Sequence, residues 1–279
     1  MQTFKADIEM RMFHAASAAL VLLFNATPAI AADRDGTGTR AEGWSGEVST
    51  GVIYQEGDYG TDDRFETVAV PVTVTATKGR FHIGASLPYV RTSAPAGVIV
   101  SQGGLLGTPL LATGSPTLER STREGIGDLT IQASVDLPLA GLATSLGTSV
   151  KLPTASVAKG LGTGKADYAV VGQVARPMGV LTPFLSLGYT VLGEPDGFDV
   201  HNTLSGSAGA RMKLGAHTFA ALSYSYEEAA TETLADRQAI GIGLGTSLED
   251  NMRLSLEGNA GLSEGAPSAS IAARIGFGF

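Results

Sequence analysis

The chain has 279 residues, 43% of them hydrophobic and 16% charged, with 37 glycines, no cysteine and a formal net charge of −8. The missing cysteine excludes a disulfide framework and a thiolate metal site, and the acidic balance argues against a nucleic-acid partner, which clustered Lys and Arg would have to attract. Soluble domains carry about 25% charged residues to wet their surface, so the low charge is a deficit that the fold has to explain.

At the start, Lys5 and Arg11 precede an apolar stretch from Ala15 to Phe24, then Pro28 and the small-residue site Ala29-Ile30-Ala31. This is the layout of a secretory signal peptide over residues 1–31, with an apolar run too short to span a bilayer as a helix. Residues 32–43 read as a periplasmic N-terminal segment. From residue 44 to 279 no stretch is long and apolar enough for a transmembrane helix.

That remainder alternates with period two in segments separated by Gly, Pro, Asn and Asp clusters, the signature of antiparallel strands. Twelve segments are predicted, at 44–56, 64–76, 80–92, 124–137, 142–152, 166–176, 181–192, 201–213, 217–228, 235–247, 252–263 and 267–279. One face of each is apolar, as in Val68, Val70, Val72 and Val74, or Ile271, Ala273, Ile275, Phe277 and Phe279. The other face mixes charges with Gly and Ser. A soluble sandwich would turn its apolar faces into one core, whereas an all-β, up-and-down transmembrane barrel turns them to lipid and lines its lumen with the polar set.

Turn lengths agree. The connections at 77–79, 138–141, 177–180, 214–216 and 248–251 are tight, and those between them are mostly longer, as expected when one end faces the periplasm and the other the exterior. Tyr54, Tyr59, Tyr89, Tyr168, Tyr189, Tyr224 and Tyr226 all fall near the long-loop end. Trp44, Phe81, Phe219, Phe277 and Phe279 fall near the other, so two aromatic girdles are predicted.

The longest connection, Ser93–Arg123, is apolar at Val98, Ile99, Val100, Leu105, Leu106, Leu110 and Leu111. Exposed, such a loop would be costly, so it is expected to fold into or over the mouth as a constriction or an apolar solute platform. The competing reading is an additional hairpin, which raises the barrel to 14 strands.

The candidate selectivity residues are the charges on the polar face. Arg211, Lys213, Arg237, Arg253 and Arg274 lie on the later strands, whereas Glu47, Asp128, Asp136 and Asp167 come mainly from the first half; Lys151 and Glu257 complete the set. Opposed walls of unlike sign would orient polar solutes. Alternatively the same groups pair across a narrow lumen and close it.

Other constellations are weaker. The four histidines have no zinc-ligand spacing, so no metal or cofactor is expected. His82 with Ser86, and His201 with Ser205 or Ser207, share a face, but it is the inward one, where a lipid hydrolase could not reach its substrate. Gly160-Leu161-Gly162-Thr163-Gly164-Lys165 fails the phosphate-loop spacing and reads as a flexible outer loop. Glu194, Asp196 and Asp199 lack the calcium-loop pattern and read as a solvated acidic loop.

Gly125-Ile126-Gly127-Asp128-Leu129 and Ser149-Val150-Lys151-Leu152-Pro153-Thr154, followed by Gly160 to Gly164 and Asp167, resemble the outer-membrane family known by the "MetA-pathway of phenol degradation". The resemblance implies an outer-membrane transporter for small, often aromatic or apolar compounds, and brings no catalytic residues. The C-terminus, with Phe277 and Phe279, is similar to the signal read by the outer-membrane barrel-assembly machinery, with Arg274 standing where that signal often has Gly. The expectation is therefore a passive channel in the outer membrane of a Gram-negative bacterium, with lipid, the assembly machinery and a small solute as partners. A closed adhesion-type barrel is the alternative, and a barrel-embedded lipid hydrolase a distant third.

Overall fold

The computed structural model describes residues 43–60, 63–96, 99–100, 109–110, 117–139, 141–232, 234–248 and 251–279. The predicted signal peptide and nearly all of the predicted N-terminal segment lie outside these residues. The strands are β1 (Ser45–Gly57), β2 (Phe65–Lys78), β3 (Phe81–Ala96), β4 (Ile99–Val100), β5 (Pro109–Leu110), β6 (Thr117–Ile126), β7 (Leu129–Leu139), β8 (Leu142–Leu152), β9 (Asp167–Ala175), β10 (Leu181–Val191), β11 (Thr203–Lys213), β12 (Thr218–Glu227), β13 (Arg237–Leu248), β14 (Met252–Gly261) and β15 (Ala269–Gly278).

Twelve of them close on themselves. From β7 to β15 each strand pairs with the next, β15 pairs with β1, β1 with β2, β2 with β3, and β3 with β7. Every pairing is antiparallel, so the circle leaves no free edge to protect. The additional strand β6 continues the line of β7 outward and pairs with the outer half of β3. Strands β4 and β5 pair only with each other, in a separate small sheet, so the barrel has 12 strands and the hairpin does not widen it to 14. Most of the Ser93–Arg123 connection, with its expected constriction, lies outside the described residues.

The strands are tilted. Stepping across paired residues from Thr182, near the inner end of β10, leads through Arg211, Ala221, Gly243, Glu257, Ala272, Ile53 and Ala69 to Val90, near the outer end of β3. Such a climb is what a closed, staggered barrel requires.

The outward face is the apolar one. Val52, Val72, Ile83, Leu187, Ile242, Leu256 and Ile271 are exposed, while Glu47, Thr73, Asp128, Gln132, Lys151 and Asp167 on the alternate positions are buried. Reversing the usual order of burial is favourable only when lipid is the solvent outside. No helix among the described residues is long and apolar enough to cross a membrane, so the strands do the crossing.

Both girdles form, with two corrections. Tyr224 donates its hydroxyl to Gln238 Oε1 (3.0 Å), and Tyr189 Oη accepts from Asn202 Nδ2 (3.0 Å), both at the outer rim. At the inner end Trp44 lies near Lys78 Nζ, which is 5.7 Å from its ring, and Phe277 and Phe279 are exposed. Tyr59, however, is buried in an outer loop edge-on to Phe65, and Phe219 occupies an inward position under the Arg211 guanidinium at 4.7 Å. Nearness to a strand end located these two rings but could not say which way they point.

Candidate functional site in the barrel interior

The interior is organised around a break. Pro71 and Pro88 face each other on β2 and β3, and neither has an N–H to give the ladder. Beyond Pro88, residues 127–129 stand opposite only Leu87 and Pro88, a one-residue bulge between β6 and β7. Gly127 N–H still reaches Pro88 O (2.8 Å). The bulge's remaining backbone groups are met by Thr154, whose Oγ1 accepts from Leu129 N–H (2.8 Å) and donates to Gly127 O (2.9 Å).

The bulge turns Asp128 inward, where its Oδ1 accepts the N–H of Ala155 (2.9 Å). Lys151, on β8, lies beside it with its ammonium 2.6 Å from Asp167 Oδ2, 3.7 Å from Asp128 Oδ2 and 3.2 Å from Thr163 Oγ1. The Lys151 side chain is 2% exposed and that of Asp128 not at all. Buried charges at such depth persist only when paired and hydrogen-bonded, which this arrangement supplies from two strands and a loop. Asp167 also accepts the N–H of Gly193 (3.0 Å), tying in the next outer loop.

The 153–166 segment, whose Gly160–Lys165 stretch is expected as a flexible outer loop, instead turns inward. After a short 3-10 turn at Val157–Lys159, Leu161 is fully buried against Ile53, Ala69, Val90, Ala155 and Ala272. Apart from Ala155 of the same loop, those partners are inward positions of β15, β1, β2 and β3, so the loop covers that part of the wall. Gly162 makes the approach possible: a Cβ there would stand 2.7 Å from Ala155 Cβ and 2.9 Å from Asp128 Oδ2. Lys159 donates to Glu124 O (3.1 Å) and secures the turn to β6. A single Leu between glycines has no use for its side chain in water, and that was the available signal in the sequence. Thr154 and Thr163 carried none.

The remaining predicted charges are inward, except Lys213, which is exposed at the inner end of β11. They do not form two opposed walls. Arg253 meets Glu47 at 2.5 Å by reaching across β15, Arg274 meets Glu257 at 3.3 Å, and Arg237 meets Glu227 at 3.5 Å. His82 is hydrogen-bonded through Nε2 to Asp136 (3.1 Å) and through Nδ1 to Thr77 Oγ1 (3.0 Å). Charges therefore pair mostly with near neighbours round the wall, as barrel side chains two residues or one strand apart readily do. Ser86, on the same face as His82, is hydrogen-bonded to Thr73 (2.9 Å). Asp196 of the acidic loop pairs with Lys165 (3.1 Å), and His201 Nδ1 lies 3.2 Å from Asn202 O.

The two sides of the interior differ in what covers them. On β1 to β3, Ser49, Gln55, Thr67, Thr73, Ser86 and Thr92 are all buried. On β11 to β14, Ser207, Ser223, Ser225, Ser247, Ser255 and Asn259 stay half-buried. Near the outer mouth, Leu234 from the β12–β13 loop packs onto Tyr59, Phe65 and Ala94. That loop is braced by Asp236, which accepts from Ala229 N–H (3.0 Å) and the Tyr226 hydroxyl (2.7 Å). These two donors, the amide first, hold its carboxyl below the usual value.

A closed barrel with a lipid-facing apolar belt and an inward polar face is an outer-membrane barrel. The COG4313 outer membrane channel from Pseudomonas putida F1 shares this fold at a TM-score of 0.65, with 13% identity over 88% of this chain and 100% of that one. The NanC porin shares it at 0.52, with 9% identity over 83% of this chain and 98% of that one. At such identities the likeness is one of fold. No curated protein matches the chain. The motifs that assemble the Asp128, Lys151 and Asp167 cluster fall within a family match covering residues 43–279, and the chain belongs to the family described as "Putative MetA-pathway of phenol degradation".

Proposed function

We propose that the barrel is a passive channel for small solutes, narrowed from one side by the inward loop at 153–166 and lined on the other by β11 to β14. The observation that carries this reading is the half-buried polar strip on β11 to β14, in contrast to β1 to β3, where most inward polar residues are buried. Family membership and the channel fold support it. The inward charges Glu47, Asp128, Asp136, Lys151, Asp167, Arg211, Arg237, Arg253, Glu257 and Arg274, with Lys213 at the inner rim, would set the field a solute meets. Phe277 and Phe279 would serve insertion by the assembly machinery.

A closed barrel acting through its outer loops is the second reading, favoured by the packing of Leu234 onto Tyr59, Phe65 and Ala94 at the mouth. Single-channel recording in planar bilayers separates the two. Stepwise conductance that grows when residues 155–163 are shortened to a Gly-Ser link supports the channel. A barrel that inserts but passes no current, with or without the loop, overturns it.

A further inference from the structure

We infer that the solute is a small, hydrogen-bonding molecule, uncharged or zwitterionic, and that β11 to β14 hold the groups that select it. This rests on the channel reading above and departs from the aromatic or apolar class that the family description suggests.

The apolar patch on the inner side of β15 and β1 to β3 is already occupied. Ile53, Ala69, Val90 and Ala272 are buried beneath Ala155 and Leu161, so a passing apolar molecule finds no apolar surface there. Phe219, an inward aromatic near the inner end, lies under the Arg211 guanidinium. What stays accessible on β11 to β14, among the described residues, is mostly polar and small. Register places Ser207 beside Ser225, and sets Ser223, Gly241 and Asn259 in one row across three strands. Asn259 donates Nδ2 to Ser270 Oγ (3.1 Å) and holds Oδ1 over Gly241, where any side chain would collide with it.

Two physical terms then choose the solute. An apolar molecule sliding along this row strips water from hydroxyl and amide groups and returns nothing, which costs free energy at each step. A hydroxylated or zwitterionic molecule replaces that water with its own donors and acceptors. Charge beside this row adds no strong preference for one ion, because Arg237 pairs with Glu227 at 3.5 Å and Glu257 with Arg274 of the adjoining β15 at 3.3 Å, offering both signs together.

The test is swelling of proteoliposomes in arabinose, glycine and sodium benzoate, together with conductance in potassium chloride, for the full chain and two double variants. In the wild type, arabinose and glycine should enter faster than benzoate. Ser223→Leu with Asn259→Leu should slow arabinose by about fivefold, the scale of one lost hydrogen bond, while conductance falls less. Ser223→Thr with Asn259→Gln should keep arabinose entry, which separates chemistry from misfolding. Faster benzoate than arabinose, or arabinose entry unmoved by the leucines, overturns the solute class and leaves the channel standing. A folded barrel that passes neither solute nor ion overturns the channel reading itself.

Discussion

The walls formed by β1 to β3 and by β11 to β14 obey the same rule and end in different states. Both alternate apolar and polar residues, and both turn the apolar set to lipid. Inside, Thr92 on β3 is fully buried, whereas Ser225 on β12 is half-buried. Part of the difference comes from a third party, the 153–166 loop, whose Ala155 and Leu161 pack on Ile53, Ala69, Val90 and Ala272 of the first wall. Alternation decides which way a side chain points; what it meets there is decided by the chain that folds back over it.

Lys151→Met offers the largest effect on this contrast. It leaves Asp128 and Asp167 buried without their ammonium, a loss of about 3–5 kcal/mol. The urea midpoint of the barrel should drop, and protease should begin to cut within 153–166; an unmoved midpoint would mean that the cluster does not anchor the loop. Leu161→Ala comes next, at about 2–4 kcal/mol for an emptied apolar site. Its conductance should rise, and a barrel that weakens without conducting more would place Leu161 away from the passage.

A matched pair sharpens the comparison from both sides. Thr92→Leu on the covered wall should cost about 1–3 kcal/mol through overpacking. Ser225→Leu on the uncovered wall should cost less than about 1 kcal/mol yet reduce conductance. Equal losses of stability would erase the distinction between the walls. The smallest effect belongs to Asp236→Ala, which should make the β12–β13 loop more sensitive to protease at pH 7. The folded carboxyl is held low, so its contribution is present above its unfolded pKa, near 3.9, and is lost only as pH falls below that through the folded value. Loop cleavage in the wild type should therefore stay flat from pH 7 down to about 5 and rise under stronger acid.

Much of this was legible in the chain. Period two, the spacing of turns and the outward run of Val68, Val70, Val72 and Val74 located the barrel, because lipid rewards each outward apolar residue independently of its neighbours. The charged interior positions were legible for the same reason. Their partners were not, since Arg253 reaches Glu47 through a ring closure between the last strands and the first that no local pattern encodes. The inward turn of Leu161 was hidden more deeply. Its sequence looks like a loop, and only the bulge at Asp128 and the lysine at 151 make the interior a place where that loop can stay. The family motifs lay over this cluster, but resemblance alone could not say that they meet.

The bulge at Gly127 and Asp128 can also be viewed as a dislocation in a two-dimensional lattice. Above it the odd positions Ser121 and Arg123 point inward; below it the even positions Thr130 and Gln132 do. A single inserted residue thus changes the reading frame of facing within one line of chain and keeps Ile126 and Ile131, five residues apart, both in lipid. Such a defect is topologically protected: substitutions can alter its chemistry, but only removing or adding a residue can erase it. Deleting Gly127 would erase the bulge and leave a regular ladder with Asp128 opposite Pro88, Arg123 still inward and Ile126 still toward lipid.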